Sequence, residues 1–148
     1  MEFNNLKSYC ITGEKISYLE NLKLNVIVGG SHTKNENFPK GWLFDNIDIN
    51  ISQKNKNFGS LTSIYWIWKN ELNKYEDNTW IGISHYRRFW LKENHNKIIS
   101  IDNLNKNLLD NISPEDLMFD AFVATSQNLT GYKIIKLLKK ARKNIIRD

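Results

Sequence analysis

Short apolar runs, set apart by helical or polar stretches, constrain this chain more than any other feature. LKSYCIT (6–12), LNVIV (24–28), WIGIS (80–84) and FDAFVAT (119–125) each read as a strand, and the first two stop at Gly13 and at Gly29-Gly30. WIGIS is apolar enough to be covered on both faces, as a central strand of a parallel sheet is. Between the runs, 16–22 reads as a short helix and SLTSIYWIWKNELNKY (60–75) as a long one. In the long one, Leu61, Ile64, Tyr65, Trp68, Leu72 and Tyr75 recur at helical spacing, which predicts that this stripe packs on the sheet. A last helix is expected from Asn128 or Thr130 through Ile146. Residues 31–57 read as a long Asn-rich loop, and residues 92–112 are too polar to assign. Strands alternating with helices at crossover spacing predict an α/β fold with a mostly parallel mixed sheet flanked by helices.

At 148 residues, without repeats or a Pro/Gly/Ser linker, one domain with its own core is the simplest organisation. The net charge of +5 suits an anionic partner, although an excess of Asn, Lys and Ile discounts the raw lysine count. The single cysteine, Cys10, excludes an intrachain disulfide and a Cys-cluster metal site. The polar stretch 1–20 does not read as a signal peptide, and no apolar run reaches the roughly 18–20 residues of a membrane span. The expected location is the cytoplasm. In GYKIIKLLKKARKNIIRD (131–148), a stripe of Ile134, Leu138, Ala141 and Ile145 is surrounded by lysine and arginine. Such a helix suits peripheral contact with the cytoplasmic face of an anionic membrane, or packing on the sheet with its lysines in solvent.

The chemistry gathers after the third run, in WIGISHYRRFW (80–90). Ligands of open α/β sheets bind beyond the carboxyl ends of the strands, where His85, Tyr86, Arg87 and Arg88 stand. Each guanidinium is a planar fork matched to phosphate oxygens. The imidazole of His85 offers a hydrogen bond or a base, and Tyr86 offers a hydroxyl and a ring face. If the chain stays extended, His85 and Arg87 share one side and Tyr86 and Arg88 the other. The competing reading is a solvated loop whose arginines pair with acids such as Glu93 or Asp77.

FDNIDINISQKNKNFGSLTSIYWIWKN (44–70), followed by WIGISHYRRFW, resembles the signature of the DUF4422 family. That pattern is a "DN…KN" stretch, a helix with "LT-x-x-YW-x-WKN", and a strand ending in "HYRR". VIVGG (26–30) is similar to the family's early glycine-ended strand. The resemblance covers most of residues 1–125. It implies a bacterial glycosyltransferase-like protein of capsule, exopolysaccharide or lipopolysaccharide synthesis, with a GT-A-like, Rossmann-like nucleotide-sugar-binding fold. It implies a single domain over 1–148 and, since members are usually longer after the strand near residue 120, a chain lacking the C-terminal acceptor portion.

The implied partners are a nucleotide-sugar donor and a glycan or lipid-linked glycan acceptor, with no cofactor and no nucleic acid. Where many GT-A enzymes carry an Asp-x-Asp metal motif, this chain has HYRR, so Arg87 and Arg88 are expected to replace the metal on the donor diphosphate. Asp45 and Asp48 form an alternative metal pair, but no metal is expected. Thr12, Gly13 and Lys15 follow the first strand, where the fold receives the base and ribose; a plain glycine turn is the alternative. Gly29 and Tyr86 join this donor set. Asn55 and Asn57 are expected either at donor hydroxyls or as helix caps. Ser60 replaces an acid expected in the family. Tyr65, Trp66 and Trp68 are expected in the core. His85 is the expected catalytic imidazole, with His95 and Asp120 behind it. A non-catalytic nucleotide-sugar-binding or assembly protein is the second reading, and a nucleic-acid-binding domain, suggested by the charge and by HYRRFW, the third.

Overall fold

A computed structural model of the chain describes residues 5–34, 37–93 and 99–124. The chain divides into two compact units, Met1–Asp116 and Leu117–Asp148. The first holds a four-stranded sheet of β1 (Leu6–Thr12), β2 (Asn25–Val28), β3 (Leu43–Phe44) and β4 (Trp80–His85) in the order β3-β2-β1-β4. All three pairings are parallel, so the sheet is not mixed. The α/β, Rossmann-like expectation holds. The helices are α1 (Asn55–Phe58), α2 (Leu61–Asn70) and α3 (Ile101–Asn107), with short 3-10 turns between elements.

Strand alternation splits the core in two. On one face Tyr9, Ile11 and Ile27 pack with Trp66 and Ile67 of α2, supported by Leu43, Ile81 and Ile83. On the other, Cys10, Val26 and Val28 pack with Leu19 and Trp42, joined by Tyr86 and Phe89. The central strands are therefore buried on both sides, which is why they read as near-continuous apolar runs.

The long helix differs from the expected one. It ends at Asn70, and a 3-10 turn follows at Leu72–Lys74. Its buried residues are Thr62, Ser63, Trp66 and Ile67. The expected stripe faces largely outward, with Leu61 55% and Trp68 56% exposed. Trp68 instead lies beneath Lys69, whose Nζ is 3.6 Å from the ring centroid, with the Tyr65 ring edge-on to it at 5.7 Å. Polar bonding turns the helix. Its inner face is tied to the 45–52 loop: Trp66 Nε1 donates to Ile47 O (2.9 Å), and Asn70 Nδ2 donates to Ile49 O (2.9 Å) while its Oδ1 accepts from Ile49 N–H (3.3 Å).

The strongest of these ties is Asp45, which is fully buried just past β3. Its Oδ2 accepts from Gly30 N–H (2.9 Å), Thr62 Oγ1 (2.7 Å) and Ser63 Oγ (3.3 Å). Its Oδ1 accepts from Ser31 N–H (3.0 Å), Ser31 Oγ (2.9 Å) and Ser52 Oγ (2.8 Å). Burial alone would raise the pKa of this carboxyl. The hydrogen bonds from Thr62, the Ser31 and Gly30 amides and Ser52 outweigh burial and hold it below its ordinary value. Gly29 and Gly30 let the β2 loop come this close. A Cβ on Gly29 would lie 2.8 Å from Ser63 Oγ, and one on Gly30, where φ is +65°, would lie 2.7 Å from Asn55 Oδ1.

Near the other end of α2, the buried Tyr9 hydroxyl donates to Glu71 Oε2 (3.1 Å) and lies 2.7 Å from the Tyr75 hydroxyl, while Lys74 Nζ holds Glu71 Oε1 at 2.6 Å.

Two further expectations are corrected. The 16–22 helix is a 3-10 turn, Ser17–Asn21. The strand expected at 119–125 is absent over its described residues, 119–124, which pair with no strand; Val123 is 86% exposed. In this second unit the Phe119 and Phe122 rings contact each other edge-on, 5.6 Å apart. Thr125 and the last expected helix lie outside the described residues. No helix among the described residues is long and apolar enough to cross a membrane.

Replacing Asp45 by Asn turns an all-acceptor group into one with an N–H₂ facing donors. The expected loss is about 1–3 kcal/mol for each buried donor left unmet, read from urea denaturation. The wild type has a folded-state pKa below the ordinary 3.8, so Asp45's contribution is complete above that value and fades as pH falls through the lower folded one. That acid-range slope should be smaller in Asp45→Asn.

Candidate functional site

The carboxyl ends of the strands form one edge. Gly29 N–H donates to Thr12 O (2.8 Å), and Tyr86 N–H donates to Ile11 O (3.3 Å), so the ends of β2, β1 and β4 are laced side by side. His85 is in register with Ile11.

HYRR does not stay extended. Arg88 N–H donates to His85 O at 2.8 Å and His85 N–H donates to Arg88 O at 3.1 Å, closing a tight turn. The expected split of His85 and Arg87 from Tyr86 and Arg88 therefore fails, because closure of the turn replaces strand alternation. Tyr86 and Phe89 drop into the Cys10 core layer, which anchors the turn from below. The Tyr18 hydroxyl donates to Tyr86 O, and Trp90 Nε1 donates to Ile83 O at 2.8 Å.

On this base His85, Arg87 and Arg88 are exposed. The Arg87 guanidinium stacks on the Tyr86 ring, 4.7 Å from its centroid, so a flexible side chain is held on a rigid face. Burial is the main reason the Tyr18 phenol titrates above its usual value, with Cys10 and Tyr86 adding to it; Arg87 pulls the other way, within electrostatic reach of Tyr18. Neither arginine forms a salt bridge with a described acid, and Asp77 and Glu93 are among those acids. The edge therefore presents two guanidinium charges uncompensated among the described residues, an arrangement that attracts phosphate oxygens.

The other expected site residues fall into three groups. Thr12, Gly29 and Asn55 lie at this edge but act within the fold. The buried Thr12 hydroxyl donates to Glu14 O (2.7 Å) and accepts from Glu14 N–H (3.1 Å). Asn55 Nδ2 donates to Gly59 O and Thr62 Oγ1, both at 2.8 Å, so it ties α1 to α2 and caps neither helix. Gly13 is half-buried, and Lys15 is exposed just beyond β1. Asn57 is exposed on α1, and Ser60 precedes α2 without a side-chain cap bond.

Asp45 and Asp48 do not make a metal pair. Six donors occupy the lone pairs of Asp45, and Asp48 adopts a left-handed φ of 49° in an exposed turn whose carbonyl accepts from Asn50 Nδ2. No group of three or more metal-ligating side chains occurs among the described residues. Of the weaker base candidates, Asp120 is exposed and His95 lies outside the described residues. A groove of about 470 Å³ lined by Leu19, Glu20, Val26, Lys40 and Trp42 sits by the first residues of β2, away from the arginines.

Reasoning from sequence missed Ser31, Ser52, Thr62 and Ser63, which donate to Asp45, and His32, which lies against Ser52. These residues come from three separate segments. The available signal was the pair of hydroxyls in LTS, on the side of the helix opposite its apolar stripe.

A family model described as "Domain of unknown function (DUF4422)" matches residues 8–146. No curated protein and no solved structure gives a significant match.

Tyr18→Phe removes the hydroxyl that holds the HYRR turn to the core. It should lower stability by about 0.5–1.5 kcal/mol at an unchanged denaturant m-value. An unchanged midpoint would show that the turn does not depend on this bond.

Proposed function

The chain belongs to the DUF4422 family, and on that premise we propose that it is a glycosyltransferase of surface-polysaccharide synthesis. In this reading a GT-A-like fold takes a nucleotide-sugar, and the sugar passes to a glycan or lipid-linked glycan acceptor at the cytoplasmic face of a membrane. The observation that carries the reading is the pair Arg87 and Arg88, exposed at the carboxyl edge without an acid partner among the described residues.

Transfer leaves one additional negative charge on the departing nucleoside diphosphate. Two preplaced guanidinium groups stabilise that charge most when it develops, as a divalent ion would. Stacking on Tyr86 spares Arg87 part of the entropy of being fixed on binding. His85 adds an imidazole hydrogen bond to the same ligand. Lys15, exposed just beyond β1, is the proposed contact to the nucleotide. In this reading the arginines meet the diphosphate in place of a metal on Asp45, whose carboxylate is saturated by protein donors.

The test is a thermal-shift and calorimetric panel of UDP, GDP and CMP with their common sugars, with and without Mn²⁺ or Mg²⁺. A metal-independent rise in melting temperature with one nucleotide is expected. Arg87→Ala should melt like the wild type without ligand and lose about 1.5–3 kcal/mol of binding, roughly ten- to a hundredfold in Kd. Unchanged affinity in that variant would overturn the assignment of the arginines, and no shift with any nucleotide would overturn the donor site itself.

A further inference from the structure

The geometry points to His32 as the proton acceptor of this site, with Ser52 and Asp45 as the positioning residues that fix its proton. This rests on the transfer reading above. His32 lies in the 3-10 turn Ser31–Thr33, directly after the glycine pair that ends β2. It is therefore at the same carboxyl edge as the arginine turn, and its ring is exposed.

His32 Nδ1 is 3.0 Å from Ser52 Oγ, and Ser52 Oγ is 2.8 Å from Asp45 Oδ1. Ser52 is fully buried and has one hydroxyl proton. Asp45 is ionised and only accepts, so that proton goes to Asp45; the reverse orientation would point an oxygen lone pair at a buried carboxylate. Ser52 Oγ is left as an acceptor toward His32, and Nδ1 must carry the hydrogen. The neutral imidazole is thereby held in one tautomer, with a lone pair on Nε2.

His85 has no such fixing. Its backbone closes the HYRR turn, but no hydrogen bond of its ring occurs among the described residues. A base is most effective when its acceptor atom is defined before substrate arrives, which separates the two imidazoles. Three residues from separate segments set one proton without any charge pair, so the motif is invisible in the sequence.

In the reaction, the acceptor hydroxyl, or water in donor hydrolysis, gives its proton to His32 Nε2. Its oxygen bonds the anomeric carbon as the bond from that carbon to the diphosphate oxygen breaks. The bonding pair leaves on the diphosphate beside the arginines. This is a direct displacement with inversion.

The first measurement is long-range ¹H–¹⁵N correlation of the His32 ring in the full chain at neutral pH. A proton on Nδ1 and none on Nε2 is expected. The opposite tautomer, or an even mixture, overturns the relay. Ser52→Ala should shift the ring toward Nε2–H; a folded Ser52→Ala with the wild-type tautomer overturns the role of Ser52. Should that variant fail to fold, the wild-type measurement and the next arm still decide.

The second arm uses His32→Gln, whose amide can still donate to Ser52. Hydrolysis of UDP-glucose and GDP-mannose should fall about a hundredfold in kcat, with the affinity of the same nucleotide-sugar changed less than about twofold. Retained kcat overturns His32 as the base while leaving the transfer reading in place. A wild-type chain that binds neither nucleotide-sugar, nor any other of the panel, sinks the transfer reading and the base with it, and the ring nitrogens still report on the relay.

Discussion

A buried carboxylate without an ion-pair partner among the described residues sets the geometry of this fold. Moving a charge out of water is strongly unfavourable unless hydrogen bonds replace its hydration. Here two amides and four hydroxyls surround Asp45. To converge on it, the β2 loop needs glycines, the 3-10 turn at Ser52–Lys54 must face inward, and α2 must turn its hydroxyls to the sheet. The helix thus follows the carboxylate rather than its own apolar stripe.

The sheet edge separates charge by depth. The anion sits inside, solvated by protein donors, while Arg87 and Arg88 stand outside in water. A negative ligand meets the cations first, and the buried carboxylate, with its lone pairs already taken, competes little for them. The HYRR turn contributes rigidity by a different device, in which aromatic rings below it fill the core and backbone bonds close it above. One rim of the edge is fixed by packing, the other by hydrogen bonds.

The strands β1, β2 and β4 were legible from their short, largely apolar runs, and their observed limits differ from the expected ones by one residue at most; WIGIS, expected as a central strand covered on both faces, is instead the half-buried edge strand β4. β3 was not, since two residues inside an Asn-rich loop carry no pattern. Periodicity located α2 but pointed it the wrong way, because it scores apolar residues and cannot weigh a distant carboxylate that needs hydroxyl donors. FDAFVAT shows the converse error: apolar composition suits a strand, but a strand also needs a neighbour to bond to. In the candidate site, the types of residue at the β4 end were readable and their arrangement was not, since nothing local signals that His85 and Arg88 close a turn. Thr12 and Asn55 were placed at the correct edge, yet their polar atoms serve the backbone and Thr62.

The hydroxyl cradle also bears on the order in which the chain organises itself. The partners of Asp45 lie 7 to 18 residues away in sequence, whereas the pairing of β1 with β4 joins residues about 75 apart. Short loops close at a smaller entropic penalty than long ones. The Gly29–Ser31 turn, the Ser52–Lys54 turn and α2 are thus suited to form early and to open as a unit, with their amides exchanging together rather than one by one. A tight carboxylate clasp of this kind keeps the glycine loop and the helix in step, so the rim that carries His32 is kept or lost as a whole, independently of the arginine turn.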